Sequence, residues 1–123
     1  MNIEEQRAAC ARFAGWKRVE YNPEIDAKLG PPFLPCYQKE NGWVVCDVLR
    51  YHPDTDVQQA NELIKAVTTT GRTVLVYHRP EGVGDEVEIL GLDLEDNIDS
   101  DDPKWPAALT AAVAELQESV EKK

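Results

Sequence analysis

From Pro80 to Asp102 the chain carries ten acidic side chains and no Lys or Arg. Ionised carboxylates cannot be buried without partners, so this stretch is confined to the surface of whatever the rest of the chain folds into. The whole sequence of 123 residues has 23 acidic and 13 basic side chains, and outside 80–102 the two signs balance. The formal net charge of −10 therefore resides in this one segment. We expect it to form an acidic loop over 80–102.

The length fits a single domain over 1–123, whose core buries roughly two thirds of the surface exposed by the unfolded chain. A hydrophobic content of 42% beside 29% charged residues is ordinary for a soluble globular protein. No apolar run approaches the ~20 residues of a membrane span. The opening MNIEEQRAACARF has acids where a secretion signal needs bases, so a cytoplasmic protein is expected. Cys10, Cys36 and Cys46 are odd in number and contain no C-x-x-C pair, which fits free thiols in a reducing compartment. The negative balance disfavours direct binding to nucleic acid and to anionic membranes, and makes a basic protein the natural partner. Oligomeric state is left open.

Periodicity places a first helix over 3–14, with Ala9, Cys10 and Phe13 on its buried stripe and Gly15 ending it. The proline-rich stretch 22–35, containing LGPPFLP, lacks the backbone donors for regular structure and is expected as a loop. WVVCDVL (43–49) is β-branched and reads as a strand buried on both faces. In YHPDTDVQQANELIKAVTTTG, Thr55 and Gln58 match a capping box. Val57, Ala60, Leu63, Ile64 and Val67 recur at helical spacing, and Gly71 stops the run. RTVLVYHR (72–79) alternates as a strand, PEGVGD turns the chain, and EVEILGLDL (86–94) returns as an antiparallel partner. Pro106 suits the first turn of a last helix with Leu109, Val113, Leu116 and Val120 as its stripe. The order is α–β–α–β–β–α, with room for a short strand near Tyr37. The fold class is an α+β sandwich, three helices packed on a small, mostly antiparallel sheet.

Chemistry-bearing residues are sparse. Cys46 and His52, with Asp54 and Asp56 to orient an imidazole, are the nearest approach to a nucleophilic site. Cys46 lies inside an apolar strand, where cysteine packs as a small hydrophobe, so no catalytic residue is assigned and no enzyme is expected. The cysteines and histidines are too scattered for zinc. DLEDNIDSDD is rich in hard oxygen ligands but lacks calcium-loop spacing, with Ile98 where a glycine is needed, so no metal site is assigned. EGVGDE has no Walker lysine and three acids, so it is no phosphate cradle, and no cofactor is expected. Arg72, Arg79 and Lys104 are the cations that a small-ligand pocket would draw on. The remaining candidate is the acidic segment, solvating at its plainest. As a recognition surface, Asp85, Glu86, Glu88, Asp93, Glu95, Asp96, Asp99, Asp101 and Asp102 would imitate a line of phosphates and occupy the basic groove of a partner. Leu94 and Ile98 would add apolar contacts.

Three blocks, FAGW, YHPDTDVQQANELIKAV and WPAALTAAVAEL, together resemble the phage ABA sandwich family of small phage and prophage proteins. They cover about a quarter of the chain, in the family's order. The segments 29–35 and 80–102 depart from its pattern. The resemblance implies a phage-encoded α/β sandwich without an assigned enzymatic activity, and carries over no site residues. A phage origin makes inhibition of a host defence or regulatory protein the leading expectation. A nucleotide binder or sponge, and a structural protein assembling through Trp105 and the proline-rich loop, are the alternatives.

Overall fold

A computed structural model of the chain describes residues 2–19, 35–80, 82–91, 98–102 and 104–122. Within the span expected to form one domain, the chain divides into two compact units, Met1–Ala14 with His52–Lys123, and Gly15–Tyr51. Among the described residues the fold is mixed α+β, with three helices and two antiparallel three-stranded sheets. None of these helices is long and apolar enough to cross a membrane.

The larger unit holds all three helices. Helix α1 (Ile3–Phe13) starts at Asn2, whose side chain accepts the Glu5 N–H at 2.8 Å. Glu4 and Glu5 lie in its first turn, where carboxylates offset the helix dipole. Helix α2 (Val57–Thr69) starts one residue later than the capping box predicts. Thr55 is spent in a tight turn, its hydroxyl and N–H both directed at the His52 carbonyl. Asp56 caps instead, accepting the Gln59 N–H at 3.0 Å, and the Gln59 side chain reaches back to the His52 N–H at 2.7 Å. Only the cap half of the box is kept, one residue later, because the Asp56 N–H is taken by the His52 carbonyl and the Gln59 side chain closes on the turn instead. At the far end, the Thr70 and Gly71 N–H groups close onto the Val67 and Thr68 carbonyls.

Helix α3 (Trp105–Glu121) departs from the single-stripe expectation. Leu109, Val113 and Leu116 are buried as the periodicity implies, but Ala108, Ala112, Ala114 and Thr110 are buried too, while Val120 is exposed. A helix apolar on several sides must be enclosed on several sides. The sheet covers one side of α3, and α1 packs against it with its own buried Ala9, Cys10 and Ala11. Small residues on both helices let their axes approach, so α1 rests chiefly on α3. The expected packing of helices on an antiparallel sheet is present, with α2 and α3 against the sheet and α1 packed on α3. Thr110 is satisfied inside the core, its hydroxyl donating to the Pro106 carbonyl at 2.8 Å, while its carbonyl accepts the Cys10 thiol at 3.3 Å.

The sheet of this unit runs β4 (Thr73–His78), β5 (Asp85–Leu90) and β6 (Ile98–Asp102), with β5 in the centre and every pairing antiparallel. The β4–β5 hairpin agrees with the alternation in the sequence. Gly82 and Gly84 in its connection have φ near +90° and +88°, a region where any Cβ is strained. The acidic segment 80–102 contains the strand expected at 86–94, found as Asp85–Leu90, and a second strand, Ile98–Asp102, where a loop was expected. Eleven of its residues form two adjacent strands, and residues 92–97 between them lie outside the described residues. The loop expectation failed at 98–102 because IDSDD alternates as DEVEIL does, hiding one face while charging the other.

The smaller unit, Gly15–Tyr51, is a sheet of β1 (Lys17–Val19), β2 (Cys36–Gln38) and β3 (Val44–Asp47), followed by a 3₁₀ turn over Val48–Arg50. Trp16, Tyr37 and Tyr51 form its aromatic cluster, with ring centroids 5.1–6.2 Å apart. The stretch 43–49 is not buried on both faces. Trp43 is 72% and Leu49 74% exposed, and Val44 is exposed as well. β-branched composition here marks an edge strand. The expected loop 22–35 lies outside the described residues except for Pro35, whose carbonyl accepts the Val48 N–H.

Candidate functional site: an acidic sheet face

Alternation along β5 sends Val87 and Ile89 into the core beneath α3 and leaves Glu86 and Glu88 on the outward face. Antiparallel register then fixes what stands beside them. Asp101 of β6 is opposite Glu86, and Asp99 is opposite Glu88. The result is a two-by-two lattice of carboxylates, roughly 4.8 Å apart between strands and about 6.7 Å apart along each strand. Directly opposed like charges destabilise a sheet, so each pair is a cost that the fold carries.

Two neighbours on β4 and just beyond it moderate that cost. The Arg79 guanidinium bonds the Glu86 carboxylate and lies 3.0 Å from Asp101, joining the first pair. The Glu86 hydrogen bond and the nearby carboxylates hold the Arg79 proton even more firmly than usual. The Tyr77 hydroxyl donates to Glu88 at 3.3 Å. Desolvation and the surrounding carboxylates push that phenol above its ordinary value. Glu86, Glu88 and Asp99 bring one oxygen each within 4.8 Å of one another, close enough for a hard divalent cation. This trio sits on the sheet, not in the EF-hand-like frame that DLEDNIDSDD was tested against, and exposed carboxylates gather this way without metal too.

The nine acids assigned to a partner surface thus separate. Glu86, Glu88, Asp99 and Asp101 share the outward face. Asp85 and Asp102 pair with each other on the opposite face. The Asp85 carboxylate accepts the Trp105 N–H at 2.9 Å and lies 3.4 Å from His78 Nδ1, so it caps α3, whose own N-cap residue Lys104 offers no acceptor. Asp102 accepts the Lys104 N–H at 3.2 Å. Asp93, Glu95, Asp96 and Leu94 lie outside the described residues, and Ile98 is half-buried opposite Ile89.

The cations assigned to a ligand pocket do not converge. Arg72 and Arg79 bracket β4, which spans on the order of 20 Å. Arg72 bonds the Thr70 hydroxyl at 2.8 Å, Arg79 belongs to the acidic face, and Lys104 lines a cavity with Asp54, Asp85 and Trp105. Burial pushes the Cys10 thiol far above its usual range and raises half-buried Cys46 as well, which disfavours the thiolate at both. Asp54, named as an imidazole-orienting group, is instead held by both nitrogens of the Arg7 fork at 2.8 and 3.0 Å.

What sequence reasoning missed was the register. DEVEIL and IDSDD each carry the alternation, but only their pairing sets Glu86 against Asp101 and brings Arg79 between them. Comparison with known proteins finds no family model, no curated protein and no solved structure that matches the chain.

Proposed function

We propose that the chain is a non-enzymatic binding protein whose acidic sheet face docks on the basic surface of a protein partner. The observation that carries this reading is the opposed carboxylate pairs on an ordered sheet, Glu86 with Asp101 and Glu88 with Asp99. A solvating tail needs no such order, and the pairing costs stability that a cationic partner would return. Regular spacing on a rigid lattice suits a groove that otherwise holds a phosphate backbone, which makes the face a decoy for nucleic acid. The raised thiols of Cys10 and Cys46 support a role without nucleophilic catalysis. The resemblance to phage ABA sandwich proteins directs the search to bacterial host proteins, with inhibition of a defence or regulatory factor as the outcome.

The test is capture from bacterial lysate on immobilised wild-type protein and on a triple variant, Glu88→Lys, Asp99→Lys and Asp101→Lys. A basic protein held by the wild type at low salt, released at high salt and ignored by the variant supports the reading. The variant must retain its circular dichroism and melting cooperativity. Identical capture by both proteins overturns the assignment of this face.

A further inference from the structure

The two opposed carboxylate pairs on the outward sheet face are not equivalent. Arg79 bonds Glu86 and reaches Asp101 at 3.0 Å, so one guanidinium bridges that pair. One rung along, Glu88 stands opposite Asp99 in the same register. Among the described residues no Lys, Arg or His pairs with either of them, and Glu88 accepts only the Tyr77 hydroxyl. The surroundings differ as well. Register sets Leu75 of β4 directly opposite Glu88, and alternation along β5 puts Leu90 on the same outward face. Glu88 is half-buried with these leucines across and along the sheet from it, while Asp99 is exposed. Water screens a charge in apolar company less well than one in the open, so a cation brought to Glu88 is held more strongly than at an isolated surface acid.

The chemistry that suits this pair is displayed by the neighbouring one. A guanidinium is planar and carries several donors in a fixed fork, so it joins two carboxylates at once, as Arg79 does. An ammonium is a compact point charge. The backbone form of the segment that brings it follows from the position of β5. This strand is central, so its N–H and C=O groups are spent on β4 and β6. A chain lying over the face finds no backbone partners there and must satisfy its own, as a helix does. Four residues of helix rise about 6 Å, close to the ~6.7 Å between successive outward residues of a strand. An Arg above Glu88 and Asp99 thus sets the side chain four residues away above Leu90.

We propose that the Glu88–Asp99 pair seats an arginine of the protein partner, carried on a helix whose apolar residue one turn away rests on Leu75 and Leu90. This rests on the docking reading given above, and adds to it the residue type and backbone form that the face selects. The partner's arginine does for Glu88 and Asp99 what Arg79 does for Glu86 and Asp101. The competing occupant is a divalent cation, since Glu86, Glu88 and Asp99 bring one oxygen each within 4.8 Å of one another.

The probe is a capped alanine–glutamine helical peptide with one Arg and, four residues on, one Leu. It is titrated at low salt into the full isotope-labelled chain and followed in nitrogen–proton spectra. Control peptides carry Lys for the Arg, Ala for the Leu, or a central Pro that breaks the helix. Glu88→Gln keeps an acceptor for Tyr77, and Asp99→Asn repeats the test at an exposed position. The proposal expects saturable shifts at Leu75, Glu88, Leu90 and Asp99. The Lys peptide and each variant should weaken binding about tenfold, as loss of one charge-assisted hydrogen bond implies. Equal affinity for the Arg and Lys peptides, or for the intact and broken helix, would overturn the arginine seat and leave the docking reading standing. Shifts centred elsewhere, or without saturation, would overturn it as well, whereas the docking reading fails separately, in the lysate capture. Calcium chloride that reproduces the same shifts more tightly than the peptide would reassign the pair to a metal.

Discussion

Glu86 of β5 stands directly opposite Asp101 of β6, and Arg79 joins the two carboxylates from beyond the end of β4. A single cation from outside the pair thus ties three strands together at one end of the sheet. Arg79→Gln should lower the melting temperature, most at low ionic strength, and added salt should narrow the gap by screening the exposed carboxylates. Adding Asp101→Asn to that variant should recover part of the loss. A melting temperature that is insensitive to salt in the Arg79→Gln protein would show that the opposed charges carry no strain.

The Arg7–Asp54 fork joins α1 to the turn that precedes α2, and the Asp54 side chain is only 9% exposed. Arg7→Met leaves that carboxylate without its guanidinium donors and should cost on the order of 2 kcal/mol in chemical denaturation. Burial acts to raise the Asp54 carboxyl, but the Arg7 hydrogen bonds and charge prevail and hold it below its ordinary 3.8. A lowered carboxyl contributes stability in full above its unfolded value and loses it as pH falls through the folded value. The difference between wild type and Arg7→Met should therefore be constant near neutrality and shrink below about pH 4. Titrating both proteins with urea across that range checks it.

Cys10 gives the opposite pH dependence. Its thiol, buried against α3, is held well above the ordinary 9.0, chiefly by desolvation. A group raised on folding contributes its stability below the unfolded value and loses it as pH rises past that value, because only the unfolded chain ionises. Wild-type stability should decline above pH 9, and Cys10→Ala, at a cost of about 1 kcal/mol at neutral pH, should flatten that decline. Mass-mapped alkylation should modify Cys36 and Cys46 in the native protein and reach Cys10 only under denaturing conditions.

Asp85 tests whether an acid in the charged segment is structural. Its carboxylate replaces the missing cap of α3. Asp85→Ala should cost about 1 kcal/mol, and Asp85→Asn, which keeps an acceptor, should cost less. The lattice acid Asp99, in contrast, should tolerate Asp99→Asn or gain stability from it, since removing one of two opposed charges relieves repulsion. Thermal melts of the three variants in one buffer separate the two roles.

The helices were legible because their signals are local. Periodicity over 3–14, the 57–67 spacing and Pro106 place α1, α2 and α3 to within a residue or two. The three-layer packing was not, because an alanine-rich helix looks alike whether it has one neighbour or two. Only burial of Ala112 and Ala114 on different sides of α3 distinguishes them. The acidic site was legible as composition and illegible as geometry. The count of carboxylates is linear in the chain, whereas the opposition of Glu88 and Asp99 depends on strand register, which no local pattern encodes. Trp43 and Leu49 misled for a related reason: β-branched runs imply a strand, but whether a second layer covers it is a property of the whole fold.

Strand β6 is the last in its sheet. A second copy of the chain approaching that border would set Asp99 and Asp101 against their own counterparts, row upon row. Like charge therefore opposes pairing of β6 with another β6, while β4, the other edge of the sheet, carries no acidic row.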